Sequence, residues 1–77
     1  MTHTRELAEP VTLTVNGAAR EVRTGSSVAD LLSSLGIDSR MVVVEHNREI
    51  LHDREGHGER RLSAGDVVEI VHFVGGG

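Results

Sequence analysis

The sequence predicts a small α+β domain in which one main helix packs on one face of a mixed sheet of four to five strands. Three observations support this prediction. A strand-like run at residues 11–15 ends at Asn16-Gly17, an apolar stripe of helical period covers residues 28–35, and a second strand-like run covers residues 67–72. Such a helix has to bury its apolar stripe, and in a two-layer domain a sheet supplies the matching surface. A chain of 77 residues forms a single domain of this kind.

The first element is a β-hairpin. Its first strand alternates apolar residues with threonine, a period of two that is typical of a half-buried strand. Asn16-Gly17 is the strongest short hairpin signal, because a type I′ turn needs positive φ at both central residues. The return strand then covers residues 18–23 and sets Leu13 opposite Arg20. Arg20 therefore falls on the apolar side, so that either its side chain extends past the sheet edge or a bulge shifts the register.

The main helix begins after Ser27. Ser27 and Asp30 have the spacing of a capping box, in which each side chain satisfies a backbone amide of the first turn. Gly36 supplies a left-handed stop at the other end. The positions i, i+3, i+4 and i+7 form one apolar face for the core, and they are Val28, Leu31, Leu32 and Leu35.

Short elements complete the chain. The β-branched run at residues 41–44 predicts an interior strand, and the polar residues 45–49 predict a turn. Residues 50–51 predict a brief further strand. The charged, glycine-bearing stretch at residues 52–61 predicts a surface loop. The final strand, residues 67–72, completes the order β-β-α-β-β-β. We expect residues 1–10 to be a flexible extension, residues 11–72 the domain, and residues 73–77 a flexible tail.

Composition excludes several classes of function. Cysteine is absent, so the chain has no thiol chemistry and lacks the commonest soft metal ligand. A net charge of −4, with one aromatic residue, disfavours nucleic-acid binding. Residues 1–10 lack the apolar core of a signal peptide, and no apolar run has the length of a membrane span. We expect a monomer in the cytoplasm.

No group of side chains has the pattern of an enzyme site. Two of the histidines, His52 and His57, fall in the predicted loop without the spacing of a metal site, and we expect them to be solvated. The serines occupy caps, turns and the helix surface. We therefore predict no catalytic residue, no metal site and no bound cofactor. The five histidines are scattered along the chain at His3, His46, His52, His57 and His72.

The three glycines at the C-terminus are the strongest functional signal. Gly75, Gly76 and Gly77 closely follow the final strand, and the reactive group that remains is the α-carboxylate of Gly77. Glycines lack Cβ, so Gly75 and Gly76 can thread a narrow channel in another protein. The six residues after Val71 can reach about 20 Å when extended, far enough to enter a partner's active site.

Phe73 stands at the start of the tail and is the only aromatic residue of the chain. An exposed ring at this position would be a docking anchor for a partner, together with Val74, because aromatic side chains commonly dominate interfaces. The alternative is that Phe73 folds back onto the sheet as a late core residue. The sequence leaves both open.

Several segments of the chain together form a family pattern: VTLTVNG at residues 11–17, SVADLL at residues 27–32, VVVEHN at residues 42–47, and GDVVEIV followed by VGGG at the C-terminus. In these segments the chain resembles the ThiS-type sulfur carriers of thiamine biosynthesis. The resemblance covers most of the chain from Val11 onward, and its most specific part is residues 65–77. It also departs from the family pattern, because residues 1–10 form a long extension and residues 53–61 match no motif.

The resemblance implies a β-grasp, ubiquitin-like fold and a carrier in place of an enzyme. An E1-like adenylyltransferase would use ATP to adenylate Gly77, a sulfur donor enzyme would convert it to a thiocarboxylate, and thiazole synthase would receive the sulfur. Two alternatives stay open. One is a carrier of another pathway, such as the small subunit of molybdopterin synthase. The other is a ubiquitin-like protein modifier, or a binding module with an inert tail.

Overall fold

A computed structural model describes residues 9–51 and 54–73, with no side-chain description for residues 54 and 55. The predicted mixed sheet with one main helix is confirmed within these residues. No helix there is long and apolar enough to cross a membrane. The elements in chain order are β1 (Pro10–Val15), β2 (Ala18–Arg23), α1 (Val28–Ser34), a 3-10 turn (Ser39–Met41), β3 (Val42–His46), β4 (Glu49–Leu51), α2 (Arg54–Glu59) and β5 (Val67–His72).

The sheet has the strand order β2-β1-β5-β3-β4, which puts the last strand in the middle. β5 pairs parallel with β1 and antiparallel with β3. α1 and one face of the sheet share the core, and we call the opposite face the open face. Alternation along each strand decides which side chains are buried in this core. The buried apolar residues are Leu13, Val15, Val22, Val28, Leu31, Leu32, Val42, Val44, Leu51, Leu62, Val68 and Ile70.

The first hairpin has the predicted turn and register. Asn16 and Gly17 both have positive φ, 49° and 84°, as a type I′ turn requires. Pairing continues without interruption along both strands and sets Leu13 opposite Arg20. No bulge shifts this register, which excludes the second alternative, and Arg20 is exposed.

The predicted capping box of α1 is confirmed. The Ser27 hydroxyl accepts a hydrogen bond from Asp30 N at 3.1 Å, and Ser27 N donates to the Asp30 carboxylate at 2.9 Å. These hydrogen bonds, with the positive charge of Arg61 as a smaller contribution, lower the pKa of Asp30. Gly36 follows the helix at φ 72°, the left-handed conformation expected at this stop.

The middle of the chain differs from the prediction in its boundaries. β3 begins at Val42 and continues to His46, while Met41 belongs to the 3-10 turn before it. The turn after β3 is therefore only Asn47-Arg48, both at positive φ. The prediction placed His46 in this turn. It ends a strand that alternates buried and half-buried residues, and it falls on the buried side.

The predicted surface loop is wrong for residues 54–59, which form α2. His57 is also buried and not solvated as expected, whereas His52 lies outside the described residues. Two glycines in six residues give this helix a poor intrinsic propensity, so contacts around it have to stabilise it. The backbone just after it is fixed to α1, because Val28 N donates to Arg60 O at 2.9 Å. Arg60 also pairs with Glu49 at 2.7 Å.

Candidate functional site

The candidate site is the C-terminal end of β5, from which the glycine tail continues. Phe73 is the last residue that the structure describes. Val74, Gly75, Gly76 and Gly77 were predicted to act in docking, threading and activation, and all four lie outside the described residues. Their roles stay predictions. The structure describes the end of β5 and Phe73, which come directly before these four residues.

Phe73 is exposed, which excludes the alternative that it folds back into the core. Phe73 is 56% exposed, and Val71, two positions earlier on the same face of β5, is 62% exposed. Val43 lies directly opposite Val71 on β3 and is half-buried. Phe73 N donates to Met41 O at 2.9 Å, so the sheet still fixes the backbone at this residue. An exposed apolar cluster, Val43, Val71 and Phe73, therefore lies on the open face beside the start of the tail.

The middle of β5 is held by the side chain of Asn16. Beyond the short parallel ladder with β1, the Asn16 amide oxygen accepts from Ile70 N at 2.6 Å. The amide nitrogen donates to Ile70 O at 3.2 Å. The turn residue thus supplies both hydrogen bonds that a further residue of β1 would have made. The asparagine that forms the hairpin turn also positions the strand that carries the tail.

The start of β5 is held by a second turn asparagine and by a largely buried contact between His46 and Asp66. Asn47 binds Val67 twice at 2.8 Å, through its own backbone N–H and through its side-chain oxygen. His46 Nε2 lies 2.7 Å from the Asp66 carboxylate, and both side chains are largely buried. Asp66 also accepts from Ser63 N at 2.8 Å and from the Asn47 amide at 3.1 Å.

Hydrogen bonding controls the ionisation of Asp66. Burial by itself raises the pKa of this carboxyl, because a charge is disfavoured away from water. The hydrogen bonds from His46, Ser63 N and Asn47, with the positive charge of His46, outweigh burial and hold the pKa below its ordinary value. Asp66 is therefore a carboxylate at neutral pH and fixes the turn before β5.

The open face carries negative charge next to the apolar cluster. Glu45 and Glu69 lie directly opposite each other on β3 and β5. Like charges in this arrangement repel and are mildly destabilising. No salt bridge neutralises either one among the residues that the structure describes. With the net charge of −4, this face suits a partner surface that is apolar and basic.

The described side chains lack the ligand groups that metal ions need. Within residues 9–51 and 54–73, no three histidine, aspartate or glutamate side chains are grouped so that they could hold a metal ion. Sequence reasoning missed the pairing of His46 with Asp66. The sequence did indicate that His46 is buried, because it continues the period of two set by the buried residues Val42 and Val44. Nothing in the sequence indicated that its partner is Asp66, which lies 20 residues away.

A family model, a relative and a solved structure all show similarity to ThiS proteins. The model of the ThiS family matches residues 5–77. The sulfur carrier protein ThiS of Bacillus subtilis is 47% identical over 51 residues, which are 66% of this chain and 76% of that protein. A crystal structure of the thiamine biosynthesis protein ThiS from Geobacter metallireducens has a TM-score of 0.74 and 38% sequence identity, and the match covers 87% of this chain and 100% of that one.

Two longer proteins contain a similar segment. The thiazole synthase of Paramagnetospirillum magneticum is 42% identical over 65 residues, or 84% of this chain. The thiazole synthase of Magnetococcus marinus is 35% identical over 63 residues, or 82% of this chain. The matched segments are 20% and 19% of those proteins. The chain therefore spans about a fifth of the length of these relatives.

Proposed function

The chain belongs to the ThiS family, and on this basis we propose that it is a sulfur carrier of thiamine biosynthesis. It acts as a substrate of other enzymes and not as a catalyst. Its cargo position is the C-terminal carboxylate of Gly77. One structural observation supports this assignment above the others: a firmly held central strand ends at exposed residues directly before the glycine sequence.

The tail has to be activated before it can carry sulfur. A carboxylate is a poor electrophile, because it is anionic and stabilised by resonance. Attack of the Gly77 carboxylate on the α-phosphorus of ATP forms an acyl-adenylate and releases pyrophosphate. Hydrosulfide then attacks the acyl carbon, the bond to AMP breaks, and the thiocarboxylate forms with release of AMP and a proton. ATP belongs to the partner, an E1-like adenylyltransferase, and a sulfur donor enzyme provides the sulfur.

Gly75 and Gly76 form the threading segment in this scheme. A nucleotide site that has to exclude water is narrow, and residues without Cβ can pass where others would clash. Phe73 and Val74 are the docking residues outside the channel. The exposure of Phe73 and its place in the apolar cluster support this role, since a buried ring could not contact a partner.

Thiazole synthase is the proposed acceptor of the sulfur. The two thiazole synthases described above each contain a segment similar to this chain. A carrier and its acceptor joined in one chain meet at a high effective concentration. In this proposal the glycine tail enters the site of such an enzyme in which the thiazole forms.

Intact mass spectrometry tests the proposal. The chain is incubated with ATP, the cognate adenylyltransferase and a sulfur donor, and we expect its mass to change by the difference between sulfur and oxygen. A chain that ends at Gly75 is the matched control and should keep its mass. An unchanged mass of the full chain would contradict the proposal, and covalent adducts with other proteins would support a protein modifier instead.

A further inference from the structure

β5 has a short open edge just before the tail. In an antiparallel pair, residues alternate between hydrogen-bonded and non-hydrogen-bonded positions. Two bonds, from Asn47 N to Val67 O and from Phe73 N to Met41 O, show that the odd-numbered residues of β5 bind toward β3. The even-numbered residues therefore direct their N–H and C=O groups toward the side of β1.

These even-numbered residues lose their partners one after another along β5. Val68 O accepts from Asn16 N at 2.9 Å. Ile70 has both backbone groups bound by the Asn16 side chain. His72 is the next such residue, but the chain has already turned back at Gly17. The N–H and C=O of His72 consequently have no hydrogen-bond partner within the part of the chain that the structure describes, and the residue is exposed.

The neighbours of this edge are apolar. Val71 and Phe73, on either side of His72, are both more than half exposed on the open face. Natural sheets usually protect free edges with charged side chains, prolines or bulges, because an open edge pairs with other strands. Here the edge is only one residue long before the tail begins, and its neighbours carry no charge. The short length limits uncontrolled pairing, while the exposed apolar side chains of Val71 and Phe73 offer contacts to one specific added strand.

We propose that an extended segment of the enzyme that activates the tail pairs with His72 as an added β-strand. The segment continues the line of β1 past the Asn16-Gly17 turn and hydrogen-bonds to the N–H and C=O of His72. Val71 and Phe73 then contact apolar side chains of the same segment, as in other cases of strand addition. This inference rests on the proposed function, and it explains how the enzyme can align an extended tail with its nucleotide site.

Amide hydrogen exchange tests the added strand directly. Exchange is allowed to proceed on the free chain and on its complex with the adenylyltransferase, and the reaction is quenched before each amide is read. We expect the His72 amide to exchange rapidly in the free chain and at least about tenfold more slowly in the complex. The Val71 amide, which faces β3, is the internal control and should be protected in both. Rapid exchange of His72 in the saturated complex would overturn the inference.

A pair of substitutions gives an independent test. His72→Pro removes the N–H donor, whereas His72→Ala removes the side chain and keeps the donor. Because this N–H does not bind β3, a proline here is compatible with the sheet, and both variants should melt as the wild type does. We expect the KM for the carrier in adenylation to rise about tenfold in His72→Pro relative to His72→Ala, the loss of one hydrogen bond in the complex.

The outcomes separate this inference from the proposed function. If wild type, His72→Ala and His72→Pro are all adenylated with the same KM, the added strand is refuted and the carrier function stands. If the wild-type chain is not adenylated at all, the proposed function fails and this inference fails with it. Should His72→Pro not fold, the exchange rate of the wild-type His72 amide decides.

Discussion

The two ends of β5 differ sharply in how they are held. At its start, Asp66 and Val67 are bound by the side chains of His46 and Asn47, and the side chains of His46 and Asp66 are largely buried. At its end, His72 and Phe73 are exposed, and Phe73 is held by one backbone hydrogen bond to Met41, just before β3. One strand thus has a fixed start and an open end.

The difference fits a carrier that presents its C-terminus to other enzymes. The fixed start of β5 sets the position and direction in which the chain leaves the sheet. The open end leaves backbone and apolar side chains accessible to a partner. Substitutions near the start should therefore change stability, while substitutions near the end should change partner binding and loading with sulfur. Substitutions at the two ends of β5, in the tail and in the core test that division, and loss of sulfur loading is the strongest effect expected.

Gly76→Val should abolish loading with sulfur and leave the fold unchanged. The added side chain would obstruct the channel through which the tail is threaded. Intact mass spectrometry after incubation with the activating enzyme measures loading, and circular dichroism with a thermal melt checks the fold. Gly76→Ala, with a smaller side chain, should be loaded more slowly than wild type but faster than Gly76→Val. Normal loading of Gly76→Val would refute the threading argument.

Leu13→Ala should destabilise the fold by about 2–5 kcal/mol, the usual cost of a cavity at a buried leucine. Leu13 is only 1% exposed and belongs to the core between the sheet and α1. Val71→Ala is the matched control on the open face, and its effect should stay within about 0.5 kcal/mol. Urea denaturation measures both. Equal losses of stability in the two variants would contradict the assignment of the buried face.

Asp66→Asn should destabilise the fold by about 1–3 kcal/mol, because an amide has one oxygen and cannot accept from three donors as the carboxylate does. Glu69→Gln is the control, since this carboxylate is exposed and has no described ion pair. Urea denaturation at neutral pH compares them. If Glu69→Gln lowered the free energy of unfolding as much as Asp66→Asn, the hydrogen bonds that Asp66 accepts would not be what stabilises the fold.

The destabilisation caused by Asp66→Asn should depend on pH. The pKa of Asp66 is lower in the folded chain than in the unfolded one, so the unfolded state binds more protons in the interval between the two values. The stabilisation is complete above the ordinary aspartate pKa of about 4 and is lost as the pH falls through the lowered value. Denaturation over this range should show the difference between wild type and Asp66→Asn narrowing toward acid pH. A constant difference would contradict the lowered pKa.

Phe73→Ala should weaken binding to the activating enzyme by about 1–2 kcal/mol, an effect common for an aromatic anchor, with no measurable loss of stability. Calorimetric titration of the enzyme measures the affinity. Ile50→Ala is the control, because this residue is equally exposed at 51% but lies on the edge strand β4. Unchanged affinity of Phe73→Ala would refute the docking role.

Local chemistry explains which parts of the fold could be predicted. The Asn16-Gly17 turn and the Ser27–Asp30 capping box depend on residues at most three positions apart, and both were predicted from the sequence. α2 was not, because its glycines disfavour a helix. The contacts around it form only in the folded chain: Arg60, directly after the helix, pairs with Glu49 and accepts from Val28 N, and His57 is buried.

The candidate site divides in the same way. The glycine tail and its neighbour Phe73 are visible in the sequence as an unusual composition at one end. The network around Asp66 is not, because His46 lies 20 residues away from its partner. The open edge at His72 also needs three dimensions, since it depends on where β1 stops relative to β5. A single sequence contains the residues but not this relative position.

Fragmentation of the loaded chain in the mass spectrometer tests directly whether Gly77 carries the sulfur. After incubation with ATP, the adenylyltransferase and the sulfur donor, we expect the added mass only in fragments that contain Gly77. Incubation with thiazole synthase and its other substrates should then restore the original mass as the sulfur leaves. Sulfur located at any other residue, or a chain that stays unmodified, would contradict the account.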